Sequence, residues 1–367
     1  PGLQGLAHYV EHTIFKGTTH RRAWHILNRM ETVGGELNAY TTKEGTMLYS
    51  TFPSRHLERA VELLADLVTC STFPADELDR ERDVVLEEVD SYRDTPIEAI
   101  YDDFEDMVFA GNPMGHNILG CDESIARIES DDCLHYIKTQ YVPANMAFFS
   151  VGPAQPDKVF ALAQKHLGAM HHQLDRAPRQ QPPVLAREHR EVDIDSHQSH
   201  TLVGARVPSL YDEGRYALAL LNNMLGGPGM NSLLNVQLRE RRGLVYTVES
   251  SVASFTDCGL VEIYFGCEYK SVKRSLDIIF NTIDALAQNP LAERRLEACK
   301  RQYCGQLVVA SSNIEFTAMN AGKSLLFWGE AGGIERTIEH IKGVTAAQLQ
   351  QAAQLLTRER CSILTFK

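Results

Sequence analysis

Ser54-Arg55-His56-Leu57-Glu58-Arg59-Ala60-Val61-Glu62-Leu63-Leu64 and Tyr269-Lys270-Ser271-Val272-Lys273-Arg274-Ser275-Leu276-Asp277-Ile278-Ile279 stand 215 positions apart and read as one pattern. In the first, Leu57, Ala60, Val61 and Leu64 recur at steps of three and four, the mark of a helix with one apolar face. In the second, Val272, Leu276 and Ile279 hold matching places. The same offset persists outward. Tyr40-Thr41 meets Phe255-Thr256, and Tyr49 meets Tyr264. Ser130 to Val151, a helix followed by an expected strand Met146–Val151, meets Thr345 to Phe366, a helix followed by Cys361–Phe366. Gap-free agreement over such separated segments reads as a duplicated fold. Each copy runs helix, helix, strand, strand, helix, long helix, further helices, final strand. Short turns between strands (Thr42–Gly45, Thr256–Gly259) and helices gathered in runs define the class as α+β: two homologous domains, each an antiparallel sheet packed with helices.

The second copy opens with two expected strands, Glu191–Asp195 and His200–Pro208, ahead of its first helix. Their counterparts fall before residue 1, so the first domain is expected to lack its N-terminal strands. The polar stretch from His171 to Glu191, with Pro178, Pro182 and Pro183, shows neither helical nor strand period. It divides the chain into a first domain, 1–172, a linker, 173–190, and a second domain, 191–367.

Composition narrows the function classes. Hydrophobic residues are 44% and charged residues 23% of the 367, values of an ordinary globular protein and not of a disordered one. The longest apolar runs, such as Met146–Val151 and Leu260–Gly266, are strand-sized and far short of the ~18 residues a membrane helix needs. No membrane partner is expected. A formal net charge of −12 argues against nucleic acid, whose binding is driven by Lys and Arg. The cysteines at 70, 121, 133, 258, 267, 299, 304 and 361 form no C-x-x-C pair or clustered metal spacing. They read as reduced thiols, which points to a reducing, cytoplasmic setting.

The chemistry starts on the first expected helix, Leu3 to Phe15, which contains His8-Tyr9-Val10-Glu11-His12. Residues four apart lie one above the other on a helix, so both imidazoles face the same way. Two neutral imidazoles so placed are half of a tetrahedral zinc site. Glu11 stands beside them where a general base belongs. The pattern H-x-x-E-H is the inverse of the H-E-x-x-H zinc motif. Taken alone, the pentapeptide also fits a polar helix face carrying two solvated histidines.

A second expected helix, Asp76 to Tyr92, places Glu81, Val84, Val85 and Glu88 on one stripe. Two carboxylates on a core-facing stripe need compensation, and one buried cation would supply it. Glu88 would then be a direct ligand and Glu81 would orient a histidine. The other reading is a solvated acidic face among Asp79, Arg80, Asp83 and Glu87. Helix geometry leaves both open.

Over essentially its whole length the chain resembles the M16 (pitrilysin or insulinase) metallopeptidases, which include mitochondrial processing peptidase and its bacterial relatives. The resemblance rests on His8-Tyr9-Val10-Glu11-His12 with Phe15-Lys16-Gly17-Thr18, on Glu-Leu-Asn-Ala-Tyr-Thr at 36–41, on Glu-Arg-Asp-Val-Val-Leu-Glu-Glu at 81–88, and on Leu-Arg-Glu-Arg-Arg-Gly-Leu-Val-Tyr at 238–246. It implies one Zn²⁺ per chain held by His8, His12 and Glu88, with Glu81 in support and Glu11 as catalytic base. It further implies that Arg239 and Tyr246 contact the substrate carbonyl and that Asn38 and Ala39 belong to an edge strand holding an extended peptide. Without the resemblance, Arg239 is a helix arginine beside Arg241 and Arg242, Tyr246 a strand aromatic, and Asn38 and Ala39 plain hairpin residues. Gly226-Gly227-Pro228-Gly229 resembles the family's glycine-rich loop and otherwise reads as a helix–helix turn. His25, His116, His171 and His172 have no partners at ligand spacing.

The offset of 215 sorts these groups. His8, Glu11, His12 and Glu88 correspond to Asn223, Gly226, Gly227 and Tyr303, while Arg239 and Tyr246 correspond to Trp24 and Glu31. Each half keeps only its own set. The resemblance therefore implies a zinc-dependent endopeptidase acting on flexible peptides inside a closed chamber, as a homodimer in which each subunit completes the other's site. Two rivals stand beside it: a non-catalytic, processing-peptidase-like partner or structural subunit, and a small metal-dependent lyase with the same pentapeptide. The second leaves Arg239, Tyr246 and the repeat without a role.

Overall fold

The computed structural model describes residues 3–170, 179–194 and 196–367. The helices are α1 (Leu6–Thr13), α2 (Ala23–Glu31), α3 (Leu57–Cys70), α4 (Ala75–Arg93), α5 (Pro96–Val108), α6 (Asp122–Ile125), α7 (Ser130–Gln140) and α8 (Pro156–Leu167), then α9 (Arg215–Gly226), α10 (Tyr269–Gln288), α11 (Glu293–Ala310), α12 (Ile314–Trp328), α13 (Ile334–Gly343) and α14 (Ala346–Gln354). The strands are β1 (Glu36–Thr42), β2 (Gly45–Thr51), β3 (His189–Val192), β4 (Ser199–Val207), β5 (Thr247–Ser254), β6 (Gly259–Cys267) and β7 (Ser362–Phe366). His171 and His172 at the end of the first expected domain, residues 173–178 of the expected linker, and Asp195, the last residue of an expected strand, lie outside the described residues.

The repeat is visible element by element. Shifted by 215, α1 falls on α9, β1 and β2 on β5 and β6, α3 on α10, α4 on α11, α5 on α12 and α7 on α14. Two compact units result. Unit 1 comprises residues 1–91, 116–179 and 313–332; unit 2 comprises 92–115, 180–312 and 333–367. The copies have exchanged a helix: α5, from the first half, lies in unit 2, and α12, from the second half, lies in unit 1.

Unit 2 holds a five-stranded sheet in the order β3-β7-β4-β6-β5, antiparallel except for the parallel pair β3–β7. Strands β4 and β6 are buried along almost their whole length, so both faces of the sheet must be covered. On one face Val203, Ala205, Ile263 and Phe265 pack with α9, α10 and α14 through Leu221, Ile279 and Leu349. On the other, Leu202, Leu260, Tyr264 and Leu364 pack with Ile100 and Phe104 of α5. The approach of α5 is close enough that a Cβ at Gly204 would lie 2.8 Å from the Phe104 ring.

In unit 1 the described strands are the hairpin β1–β2, with Asn38 opposite Tyr49 and Thr41 opposite Thr46. Its core joins α1, α2, α3, α4 and α7 through Tyr9, Val10, Ile26, Leu63, Leu67, Val85 and Ile137. The expected strand Met146–Val151 is not formed. Its counterpart β7 is held between β3 and β4, and among the described residues of unit 1 no strand occupies either neighbouring place. The exchanged helix α12 lies over the hairpin, with Lys323 Nζ 5.4 Å from the Tyr40 ring centroid. Gly322 lets it approach, since a Cβ there would stand 2.2 Å from the Phe149 ring.

Candidate metal centre

Helix α1 starts at Gly5, whose left-handed conformation (φ 83°) and lack of a side chain let the chain pass against Leu119 and Gly120. Tyr9 and Val10 fix the buried face, and the Tyr9 hydroxyl donates to Leu78 O at 2.6 Å, tying α1 to α4. His8 and His12 project together, ring centroids 4.5 Å apart. Across from them α4 buries Leu78, Glu81, Val85 and Val89. Val84 belongs to the solvent side of α4, 49% exposed, which corrects its placement on the core stripe. A step of 100° per residue separates it from Val85.

Glu88 Oε2 lies 3.7 Å from His8 Nε2 and 3.4 Å from His12 Nε2. One ligand-type atom from each of the three residues falls within 4.8 Å of the others. Ligands about 2.0–2.1 Å from a tetrahedral zinc stand about 3.3–3.4 Å apart, so the triad is close to ligand spacing. Glu81 is buried, with Oε1 3.3 Å from His12 Nδ1 and Oε2 2.5 Å from Lys16 Nζ. An Nδ1–H held by Glu81 leaves the Nε2 lone pair of His12 facing Glu88. Burial, and then the neighbouring His12, lower the His8 pKa to about 4, so its imidazole is neutral and able to ligate near pH 7. His8 Nδ1 is buried without a hydrogen-bond partner among the described residues.

Glu11 accepts a hydrogen bond from Thr41 Oγ1 at 2.9 Å, which ties the pentapeptide to β1. Burial raises its pKa, opposed by the Thr41 hydrogen bond and the charge of His12 and aided by the charge of Glu88. A carboxylate raised in this way is a better proton acceptor. Glu11, Glu81 and Glu88 outnumber the single ammonium of Lys16 by two charges, the deficit that one divalent cation offsets. Donor types, spacing and charge therefore all fit a zinc ion.

Asn38 and Ala39 lie on β1, which pairs only with β2 among the described strands, so its outer edge can accept another. Asn38 is exposed, and its side chain accepts from Ala39 N at 2.9 Å. Arg239 and Tyr246 belong to unit 2. Arg239 lies in a π-helical turn, Asn235–Glu240, and is exposed; Tyr246 precedes β5, donates its N–H to Gly266 O at 2.8 Å and leaves its side chain 59% exposed. Sequence reasoning missed two supporting residues. Lys16 continues the spacing of four from His8 and His12, a signal that was available. Thr41 had none, because its role depends on where the hairpin meets α1.

Comparisons with known proteins identify the family to which the chain belongs. Residues 1–122 match the family described as Insulinase (Peptidase family M16), and residues 127–303 match the Peptidase M16 inactive domain. An uncharacterized zinc protease of Mycobacterium leprae is 32% identical over 98% of the chain and 81% of its own length. The uncharacterized zinc protease YmxG of Bacillus subtilis is 29% identical over 98% of the chain and 87% of its own. The chain belongs to peptidase family M16. A crystal structure of a protease from Helicobacter pylori superposes with TM-score 0.89 at 20% identity, covering 100% of this chain and 89% of that one, which shows the shared fold. No helix among the described residues is long and apolar enough to cross a membrane.

Proposed function

We propose that the chain is a zinc-dependent endopeptidase that hydrolyses flexible peptides or unfolded segments. The carrying observation is that Nε2 of His8 and Nε2 of His12 converge on one oxygen of Glu88 beside the raised carboxylate of Glu11. His8, His12 and Glu88 would hold one Zn²⁺, with Glu81 and Lys16 fixing the orientation of His12. When bound, the ion supplies Lewis acidity, making a water acidic near neutral pH and polarising the scissile carbonyl. Glu11 takes the proton from the attacking water and returns it to the leaving nitrogen. The free edge of β1, at Asn38 and Ala39, would hold the substrate as an added strand, which selects extended peptides over folded ones. Arg239 and Tyr246 are donors suited to an oxygen gaining negative charge.

Because the two donor sets lie on different halves, we also propose a homodimer in which Arg239 and Tyr246 of one subunit serve the metal site of the other. Mixing His12→Ala with Tyr246→Phe protein should then restore activity that neither has alone; no restoration sinks the dimer but leaves the peptidase. The peptidase itself is tested by cleavage of a quenched peptide. Cleavage abolished by Glu11→Gln, with zinc content unchanged, supports it. A zinc-free or inert wild-type protein would favour the structural-subunit reading.

A further inference from the structure

Unit 1 brings together a second set of ligand-type side chains away from the triad. Asp66 and Cys70 stand four residues apart near the end of α3, so one helix face carries both. His20 meets them from the loop between α1 and α2, and one atom from each of the three lies within 4.8 Å of the others. The backbone holds this loop in place. Thr19 N donates to Cys70 O at 2.9 Å, Thr72 N donates to Gly17 O at 3.0 Å, and Thr18 bridges to Ser71. Asp66 is buried, Cys70 half-buried and His20 exposed.

We propose that His20, Asp66 and Cys70 bind a thiophilic divalent cation of the zinc class, separately from His8, His12 and Glu88. A thiolate, an imidazole and a carboxylate make a borderline-soft donor set that suits such ions. Asp66 is already oriented for the task. Its Oδ2 accepts from Thr18 Oγ1 at 2.8 Å and Arg21 Nη1 at 2.6 Å, while Oδ1 faces His20 Nδ1 at 2.6 Å. Ligating carboxylates are commonly hydrogen-bonded in this way by outer groups. Arg21 also donates its Nη2 to Glu62 at 2.5 Å, and Glu62 accepts from Arg29 Nη2 at 3.1 Å, so the two guanidiniums are matched by two carboxylates and the Cys70 thiolate supplies the charge that draws in a cation. Binding releases the thiol proton of Cys70 to solvent and parts Oδ1 from Nδ1, which the exposed His20 ring accommodates by turning. The filled site would fasten the loop that follows α1 to α3. None of this depends on the peptidase reading.

Cadmium titration of the whole protein tests it, because a cadmium–thiolate bond absorbs in the ultraviolet and the His8–His12–Glu88 triad contains no sulfur. The expected result is an absorbance that saturates by two equivalents, the sulfur-free triad filling silently, that is lost in Cys70→Ser and that needs at least tenfold more cadmium in His20→Ala. Circular dichroism and urea midpoints matching wild type would establish that both variants are folded. An absorbance that survives Cys70→Ser overturns the site. So does one lost in Cys70→Ser but untouched by His20→Ala, which would mean a lone thiol.

Discussion

Helices α1 and α9 occupy the same place in the repeat and are used in opposite ways. On α1 the positions of His8, Glu11 and His12 face a polar pocket completed by Glu88. At the end of α9 the same positions are Asn223, Gly226 and the capping Gly227, and the chain closes in. A Cβ at Gly226 would stand 2.8 Å from Ser250 N, and one at Gly227 would stand 2.7 Å from Asn223 O. The partner helices match this contrast. Glu81 and Glu88 of α4 become Leu296, fully buried, and Tyr303, packed on the core, on α11. One backbone thus carries a charged cluster of ligand-type side chains in one unit and tight apolar packing in the other. The fold supplies positions; the side chains decide whether those positions are wet and charged or dry.

The sharpest way to break this comparison is at the base. Glu11→Gln should lower kcat on a quenched peptide by about a thousandfold or more while zinc content stays at one per chain. Equal loss of metal and activity would make Glu11 a ligand and not a base. Next comes Glu81→Gln, which should weaken zinc affinity about 10–100-fold in a competition assay with a chelator. Gly226→Ala should cost about 1–3 kcal/mol in urea unfolding, because the added methyl has no room against Ser250. Ala at the matching position of unit 1, Glu11→Ala, should not carry that penalty.

Acid should separate the units too. The His8 pKa in the folded state, about 4, lies below its unfolded value of 6.5. Between those values the unfolded chain binds a proton that the folded chain refuses, so the metal-free protein loses stability as pH falls from about 6.5 to about 4. The loss is on the order of 3 kcal/mol and flattens below the lower value. Urea midpoints of the metal-free protein against pH should show this slope, and His8→Asn should reduce it. The smallest expected effect is Thr41→Val. Removing the hydroxyl takes away a hydrogen bond that opposes the rise of the Glu11 pKa, so the acid limb of kcat/KM should move to higher pH, with less than a tenfold loss at the optimum.

Much of this was legible in the sequence because it rests on helical spacing. His8 with His12 is a local relation, as is Glu81 with Glu88, and the repeat ties distant helices to each other by position alone. Resemblance to the M16 peptidases joined α1 to α4, which periodicity could not do. Val84 was misplaced because a stripe of two carboxylates and two valines fits two rotations of the helix about its axis, and only packing chooses. Met146–Val151 has the composition of a strand, yet a strand exists only where neighbours accept its hydrogen bonds. His20, Asp66 and Cys70 escaped notice since a loop residue and a helix face meet through tertiary contacts that leave no period behind.

The trade of α5 for α12 means that neither half of the chain owns a complete interior. Phe104 seals a sheet whose strands are encoded nearly a hundred residues or more downstream, and Lys323 sits over a hairpin encoded far upstream. A gene fragment ending at the middle of the chain would therefore specify a body with a foreign helix and a missing one. The two halves match in the order of their elements, yet each interior is closed by a helix that the other half encodes.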